Sequence, residues 1–182
     1  MDYILDENGN RCTYLDGQLH SYDDKPAIIT VNGSQYWYLK GELHRDDDLP
    51  AVIYANGTQY WHKNGKIHRD NDLPAIIFAN GNRYWYQNGE RHRDNDLPAV
   101  IYADGDQCWY QNGKIHRDND LPAVICANGD QEWYQNGHRH RDNARDPLPA
   151  IIRANGHAEW WINDEKIKEC ENYQPRVKSA RN

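Results

Sequence analysis

Short runs of alternating apolar and polar residues recur along this chain with a period of 24 residues. Histidines mark the period at His20, His44, His68, His92, His116 and His140. Tryptophans keep the same step at Trp37, Trp61, Trp85, Trp109 and Trp133, and after a longer step at Trp160. One unit reads P-A-[VI]-I-Y-A-N-G-x-x-Y-W-Y-x-N-G-x-x-H-R-D-x-D-L. A fixed period of this length indicates a tandem-repeat protein.

Each unit carries two turn signals. The first is Asn-Gly or Asp-Gly, with glycines at Gly33, Gly57, Gly81, Gly105, Gly129 and Gly156. The second has Gly41, Gly65, Gly89, Gly113 and Gly137. Because Asn and Gly tolerate the positive φ of a type I′ turn, we predict two-residue hairpin turns at both places. Each unit then reads strand, turn, strand, turn, short strand and an HRDxDLP loop, with a proline where the next strand begins.

The turns predict the register of the strands. A two-residue loop at Asn56-Gly57 places Ile53 opposite Tyr60 and Val52 opposite Trp61. Because side chains alternate along a strand, Val52 and Trp61 should share one face, with Ile53 and Tyr60 on the other.

The second turn extends this arrangement. A two-residue loop at Asn64-Gly65 sets His62 opposite Ile67 and Trp61 opposite His68. We therefore predict a repeating Val–Trp–His ladder along one face of the sheet.

The opposite face varies more between copies. The Tyr60 position becomes Cys108, Glu132 and Glu159, and the Ile67 position becomes Arg91 and Arg139. We expect the later part of that face to meet solvent. On the tryptophan face, one way to close the core is for the loop leucines to fold over the ring row; the other is dimerisation. The leucines are Leu49, Leu73, Leu97 and Leu121.

These patterns predict an all-β fold, an elongated single-layer antiparallel sheet of tandem β-hairpin repeats. A single unit buries too little apolar surface to fold alone, so neighbouring units must stack. We assign residues 1–25 to an N-terminal capping half-repeat and 26–164 to five to six repeats. Residues 165–173 form a C-terminal cap and 174–182 a basic flexible tail.

Charge and cysteine usage limit the classes of function and the cellular location that we expect. The net charge of −7 argues against nucleic-acid binding, which needs a basic face. No apolar run is long enough to span a bilayer, and the acidic start lacks a signal-peptide core. The four cysteines show no metal or disulfide spacing, which favours the cytoplasm. The predicted register puts Cys108 and Cys126 on opposite faces, so we expect no disulfide between them.

None of the candidate chemical motifs fits a catalytic or metal site. HRD occurs five times without the other kinase motifs. Ladder histidines two strands apart are too distant to share a zinc ion, and we expect them to pack on tryptophan and donate to loop carbonyls. Asp46, Asp48 and their copies lack the glycine and glutamate of an EF-hand loop. We expect these carboxylates to close Asx turns and to pair with Arg45, Arg69, Arg93 and Arg117. We predict no catalytic, cofactor or metal residue.

The segment Tyr-Trp-Tyr-Gln-Asn-Gly-Glu-Arg-His at 84–92, followed by a strand and Asn/Asp-Gly, resembles the MORN repeat. The HRDxDLPA variant is similar to repeats in large DNA viruses of amoebae and in some phages. The resemblance covers roughly residues 8–167 and departs where the usual His-Gly-x-Gly becomes His-Arg-Asp-x-Asp-Leu-Pro. It implies arrays of β-hairpins, often dimeric, that serve as scaffolds and bind proteins, with a membrane-lipid role in some members.

We therefore expect a non-enzymatic scaffold or adaptor that binds protein partners or itself, as a homodimer, through its tyrosine side or its N-terminal end. The candidate interaction residues are Tyr36, Tyr60, Tyr84, Tyr38, Tyr86 and Tyr110. A membrane-lipid module and carbohydrate binding on the aromatic face are the alternatives.

Overall fold

The computed structural model describes residues 3–141 and 148–174. The chain divides into two compact units, the first ending at Ala103 and the second beginning at Asp104. Most of the loop that lengthens the last step, and all but the first residue of the predicted basic tail, lie outside the described residues. Within the described part every regular element is a β-strand, and no helix there is long and apolar enough to cross a membrane.

The first unit contains an open antiparallel sheet and four separate two-stranded ladders. The strands of the sheet, in spatial order, are β1 (Ile4–Leu5), β2 (Arg11–Cys12), β5 (Ile28–Ile29), β6 (Gln35–Tyr36), β9 (Val52–Ile53), β10 (Gln59–Tyr60), β13 (Ile76–Ile77), β14 (Arg83–Tyr84) and β17 (Val100–Ile101). The ladders pair β3 (Tyr14–Leu15) with β4 (Gln18–Leu19), β7 (Tyr38–Leu39) with β8 (Glu42–Leu43), β11 (His62–Lys63) with β12 (Lys66–Ile67), and β15 (Tyr86–Gln87) with β16 (Glu90–Arg91).

The second unit repeats the same plan. Its sheet contains β18 (Gln107–Cys108), β21 (Val124–Ile125), β22 (Gln131–Glu132), β25 (Ile151–Ile152), β26 (Ala158–Ile162) and β27 (Glu165–Cys170). Its ladders pair β19 (Tyr110–Gln111) with β20 (Lys114–Ile115) and β23 (Tyr134–Gln135) with β24 (His138–Arg139). The predicted fold class, an all-β antiparallel sheet of successive hairpins, is confirmed.

The second turn of each unit has the predicted type I′ geometry. Asn64 and Gly65 both have positive φ, 50° and 75°. The flanking strands pair His62 with Ile67 and Lys63 with Lys66, as the two-residue loop requires. The register predicted for this hairpin is confirmed.

The first turn has a different geometry, and the type I′ prediction there is wrong. The Tyr54 N–H donates to the Thr58 carbonyl at 2.9 Å, and the Gly57 N–H donates back to Tyr54 at 2.8 Å. Three residues therefore form the loop, and of these only Gly57 has positive φ, 88°. This is the pattern of a type I turn followed by a left-handed glycine in a bulge. All six predicted first-turn glycines share it, with φ between 87° and 101°.

The extra loop residue moves the strand register by one position. Val52 lies opposite Tyr60, and Ile53 lies opposite Gln59. Val52 therefore shares a face with Tyr60, and the predicted Val–Trp–His row is wrong. A shift of one residue reverses the face of every side chain in a strand. Trp61 instead donates its backbone N–H to Ala75 of the next repeat, at 2.8 Å.

A third turn lies inside the HRDxDLP loop. Asn71 and Asp72 both have left-handed φ, 60° and 54°, and the Leu73 N–H donates to the Asp70 carbonyl at 3.3 Å. Asn and Asp are the non-glycine residues that adopt this conformation most readily. The loop is thus closed by backbone turn geometry.

Buried side chains recur with the same period as the sequence. The alanine of each Pro-Ala pair is at most 1 % exposed, and most of the strand residues that follow it are buried as well. The tryptophans form the second buried set: Trp37, Trp61, Trp85, Trp109, Trp133 and Trp160, each at most 9 % exposed.

Candidate functional site

Four of the buried tryptophans are held both by the loop that precedes them and by an arginine that follows them: Trp37, Trp61, Trp85 and Trp133. The Trp61 Nε1–H donates to the Asp48 carbonyl at 2.9 Å. The guanidinium carbon of Arg69 lies 3.9 Å from the centre of the same indole ring. A cation stacked on an indole face is attracted by the ring quadrupole, and more strongly when water is excluded.

The same arginine joins two consecutive repeats. The Arg69 Nε and Nη2 groups donate to the two carboxylate oxygens of Asp48, each at 2.8 Å. Its Nη1 donates to the Pro74 carbonyl at 3.3 Å. The matching sets are Arg45 with Trp37 and Asp24, Arg93 with Trp85 and Asp72, and Arg141 with Trp133 and Asp120. We call each such set an arginine clamp. Arg117 stacks on Trp109 at 3.8 Å in the same way.

The clamp changes two sequence-based predictions. The loops cover the tryptophan rings, but the covering side chain is an arginine and not the predicted leucine. The loop leucines remain 37–38 % exposed. The predicted arginine–aspartate pairs exist and join successive repeats, and at Asp48 and Asp70 the carboxylates bond to side chains and not in the expected Asx turns. The signal for the clamp is visible in the sequence, where an arginine stands eight residues after Trp61 and its copies.

The ladder histidines link the second turns of neighbouring repeats. The Asn88 N–H donates to Nδ1 of His68 at 3.1 Å, and Nε2 of His68 lies 2.8 Å from Asp70. Because Nδ1 accepts a hydrogen bond and Nε2 faces a carboxylate, the neutral ring carries its proton on Nε2. The expectation that these histidines donate to a loop carbonyl is wrong. The same backbone bond is received by His20, His44, His116 and His140. His92 has the acidic partner, Asp94, at 3.1 Å.

Both aspartates of the loop are stabilised as carboxylates. Hydrogen bonds from Lys63 and His68 lower the pKa of Asp70 to about 2. The hydrogen bond from Arg93 lowers the pKa of Asp72, the second aspartate of the same loop. Carboxylates that accept such bonds remain charged at lower pH than free ones. The loop is therefore a set of paired charges.

A further inter-repeat bond was missed by the sequence analysis. The side-chain oxygen of Thr58 accepts the backbone N–H of Ala79 in the next repeat, at 3.1 Å. Equivalent acceptors are Asn10, Ser34, Asn82, Asp106 and Asp130. Every one of these residues directly follows a first-turn glycine and carries an oxygen two or three bonds from Cα. That regularity was the available signal.

A row of aromatic rings runs across the first unit on the Val52 face. We call it the aromatic row; it consists of Tyr36, Tyr54, Tyr60, Phe78, Tyr84 and Tyr102. Successive ring centres lie 4.9–6.2 Å apart, with planes inclined by 64–84°. This is the edge-to-face geometry that aromatic pairs prefer. The structure brings together three of the six candidate interaction tyrosines here.

The other candidate tyrosines lie on the second hairpins. Tyr38 and Tyr86 belong to the first unit and Tyr110 to the second, and all three are half-buried. His62 holds the same position in its repeat and lies roughly parallel to Tyr60 at 6.3 Å. Burial lowers the pKa of His62 and raises that of Tyr60. Both side chains are therefore uncharged at neutral pH.

In the second unit, cysteines and charged residues stand at the positions of this row. Glu132 stands at the Tyr60 position, only 13 % exposed, and pairs with Arg153 at 2.8 Å and Arg139 at 3.4 Å. The Tyr134 hydroxyl also donates to Glu132, at 3.0 Å. The expectation that this face meets solvent is wrong here, because the added charges neutralise one another inside the fold.

The corrected register also changes the placement of two cysteines. Cys108 lies opposite Val124, and Cys126 is two residues further along that strand, so both thiols lie on one face. The predicted opposite faces are wrong. Neither of them forms a disulfide in the structure, nor does Cys12 or Cys170. Diagonal neighbours on antiparallel strands are further apart than a disulfide requires.

One group of metal-ligand type occurs among the described residues. Ligand atoms of His157, Glu159 and Glu169 lie within 4.8 Å of one another. Lys166 pairs with both glutamates, and Glu171 pairs with Nδ1 of His157 at 2.8 Å. The hydrogen bonds that His157 donates to Glu159 and Glu171 raise the pKa of His157. An ammonium group already neutralises these carboxylates, so the cluster is an ion-pair network.

The geometry thus offers two kinds of surface: inter-repeat clamps that hold the fold, and an aromatic row that is open on one side. Comparison with known proteins does not assign a function to either surface. The chain matches no family model, and a search of curated proteins finds no match.

Proposed function

We propose that this protein is a non-enzymatic scaffold that binds other proteins along the aromatic row of its first unit. The observation that carries the proposal is the row itself: six rings in contact, with Tyr54 37 % exposed. Aromatic side chains supply large contact areas at small entropic cost and are enriched at the centres of protein interfaces.

The inter-repeat clamps support this role, because they fix the spacing of the rings. Each clamp and each histidine bond ties one repeat to the next at the same two places. A partner would therefore meet a pre-organised surface, which reduces the ordering cost of binding. The charged network at the equivalent positions of the second unit, such as Glu132 with Arg153, limits the row to the first unit.

Carbohydrate binding on the same row is the less favoured alternative. Sugars stack on the open face of an aromatic ring, whereas these rings use faces and edges on one another. Binding of anionic lipid is disfavoured by the net charge of −7. The proposal includes the MORN-like character of the repeats and a cytoplasmic location, which is supported by four cysteines that form no disulfide.

A triple variant tests the proposal: Tyr54→Thr, Phe78→Thr and Tyr102→Thr. Thr30 stands at the same position of the first repeat, so the chain itself shows that threonine fits there. Proteins captured by the wild-type chain from the cells that produce it would be identified by mass spectrometry. We expect the variant to lose them while keeping the circular dichroism spectrum of the wild type.

The matched control is Leu49→Thr, Leu73→Thr and Leu97→Thr, which removes three apolar side chains of similar exposure, 37–38 %, from the loops. The control should capture the same proteins as the wild type. Equal capture by the aromatic-row variant would contradict the proposal. A glycan array probed with both variants would show whether sugar binding takes its place.

A further inference from the structure

The strand at each outer edge of the sheet leaves apolar side chains exposed. Ile4 has the same register in its hairpin as Val52 has in a later one, since Ile4 lies opposite Cys12 and Val52 opposite Tyr60. Yet Val52 is 3 % exposed and Ile4 63 %. The difference arises because β6 of the preceding repeat covers Val52, whereas β1 pairs only with β2 among the described residues.

We call this surface the β1 edge; it consists of Tyr3, Ile4 and Leu5, which are 51 %, 63 % and 60 % exposed. Asp6 and Glu7 follow directly. The Asp6 carboxylate accepts hydrogen bonds from the Asn8 and Asn10 backbone, and Glu7 is exposed. The β1 edge is therefore apolar with an acidic border.

The last strand of the second unit, β27, has a matching character. Beside β27 lies a hollow of about 390 Å³, mostly apolar, lined by Trp160, Trp161, Ile162, Ile167 and Tyr173 together with the cations Arg141 and Lys168. We call it the β27 hollow. Ile167 is 57 % exposed, and β27 pairs only with β26 in the part of the chain that the structure describes.

The two cations of the hollow differ in whether they already pair with a carboxylate. Arg141 already binds both oxygens of Asp120, at 2.6 and 2.9 Å. Lys168 is exposed, with its Nζ 4.6 Å from the centre of the Trp160 ring. Lys168 is thus the charge in the hollow that an incoming carboxylate would meet.

From this complementarity we propose that the β1 edge of one molecule docks in the β27 hollow of a second copy. The apolar β1 edge covers the exposed Ile167, the two strand edges pair, and the acidic border of β1 faces Lys168. An exposed strand edge is a ready template for pairing with another chain. The inference goes beyond the proposed function, because it concerns association of the chain with a second copy of itself and states which surfaces meet.

Pairing of two β27 strands is disfavoured by their charges. An antiparallel pair centred on Ile167 would place Lys166 opposite Lys168, and Glu165 opposite Glu169. Like charges directly opposite each other destabilise a strand pair. The contact between unlike edges is heterologous, and such contacts produce rings or open chains according to the rotation between copies.

Two single variants of the full chain test the proposal. Ile4→Asp places a charge on the β1 edge, and Ile167→Asp places one on the β27 hollow; both positions are more than half exposed, so folding should be unaffected. Sedimentation velocity would be followed over a hundredfold range of concentration. We expect the wild-type mass to rise beyond twice 21.4 kDa, and each variant alone to remain a monomer.

The decisive sample is an equimolar mixture of the two variants. The first retains its β27 hollow and the second its β1 edge, so the mixture should form dimers and nothing larger. Leu97→Asp, a charge on an exposed loop leucine, is the control and should associate like the wild type. A monomeric wild type at every concentration, a variant that still associates alone, or a mixture that stays monomeric would each overturn the proposal.

The outcome is separable from that of the proposed function. The aromatic-row variant leaves both edges intact and should associate like the wild type. The edge variants leave the row intact and should keep the captured partners. A wild type that stays monomeric but still captures its partners would therefore overturn this inference and leave the proposed binding surface in place.

Discussion

The guanidinium of Arg69 makes three kinds of contact, and a conservative substitution separates them. It stacks on Trp61, binds Asp48 through two parallel hydrogen bonds and reaches the Pro74 carbonyl. Lysine keeps the charge but has no planar fork for the bidentate pair. The chain contains such a case in Lys168, which lies 4.6 Å from the Trp160 ring centre, further than the arginines from theirs.

We predict that Arg69→Lys lowers the free energy of unfolding by about 2 kcal/mol, from the lost bidentate bonds and the weaker stacking. Urea unfolding followed by tryptophan fluorescence measures this. Arg83→Lys, at an exposed arginine of β14, is the control and should stay within about 0.5 kcal/mol of the wild type. Equal stability of the two variants would show that the clamp contributes little.

Thr58 illustrates a bond that joins two repeats through a single side-chain oxygen. Its hydroxyl is nearly buried, the residue being 5 % exposed, and it is the acceptor for the Ala79 N–H. Thr58→Val keeps the shape and removes the acceptor, which we expect to cost about 1–3 kcal/mol. Thr58→Ser should be close to neutral, since Ser34 does the same in another repeat. Faster exchange of the Ala79 amide hydrogen in the valine variant only is the confirming observation.

At the scale of the element, the hairpins show what the sequence could and could not predict. The period, the strands, the second turn and the fold class follow directly from the spacing of Asn-Gly and of the aromatic residues. The first turn does not, because Asn-Gly fits both a two-residue type I′ loop and a three-residue loop with a bulged glycine. The two loops differ in whether Ala55 belongs to the strand or to the turn. That difference of one residue reverses the predicted faces.

The same error in strand register affected the prediction of the candidate site. The sequence groups Tyr36, Tyr60 and Tyr84 as candidates, and the structure places these three rings in one row. Tyr54 and Phe78 are absent from that prediction, because the predicted register puts them on the other face. The arginine clamp was missed for a different reason. The partners Arg69 and Asp48 lie 21 residues apart, and no rule of local spacing joins positions at that distance.

The clamps also predict how the hairpin array responds to acid. Hydrogen bonds from arginine lower the pKa of Asp24, Asp48 and Asp72 in the folded chain. Groups with a depressed folded pKa stabilise the fold above the pKa of the unfolded chain, about 4, and this contribution is lost as pH falls through the folded value. We expect a constant melting temperature above about pH 5 and a steep fall between about pH 4 and 2.

Asp48→Asn is the matched variant for this effect. It removes one carboxylate from the set, so it should melt lower at pH 7 and lose less on acidification than the wild type. Differential scanning calorimetry across the pH range gives both quantities. A wild type whose melting temperature does not change down to pH 2 would contradict the linkage.

At the scale of the whole molecule, the repeats are interchangeable in their contacts. Deletion of residues 52–75 removes one period and joins Ala51 to Ile76, which occupies the position of Val52 one repeat later. Arg93 then takes the place of Arg69 beside Asp48. We predict a folded protein of lower stability, because one nearest-neighbour interface is lost.

Deletion of residues 52–63 is the control, since half a period brings unlike positions together and should abolish cooperative unfolding. Circular dichroism melting curves of both deletions provide the comparison. An unfolded full-period deletion would show that the first unit depends on contacts other than those between adjacent repeats.

The short sequence span of the inter-repeat bonds has a consequence for folding kinetics. The clamp joins residues 21 positions apart in a chain of 182, a ratio of about 0.12, which lies in the range of fast-folding helical and mixed domains and below that of most β-sandwiches. Closing such a loop requires little loss of chain entropy compared with a Greek-key connection. Nucleation can begin at any adjacent pair of repeats and spread by zippering, so this β protein should refold without the slow search that non-local strand pairing imposes.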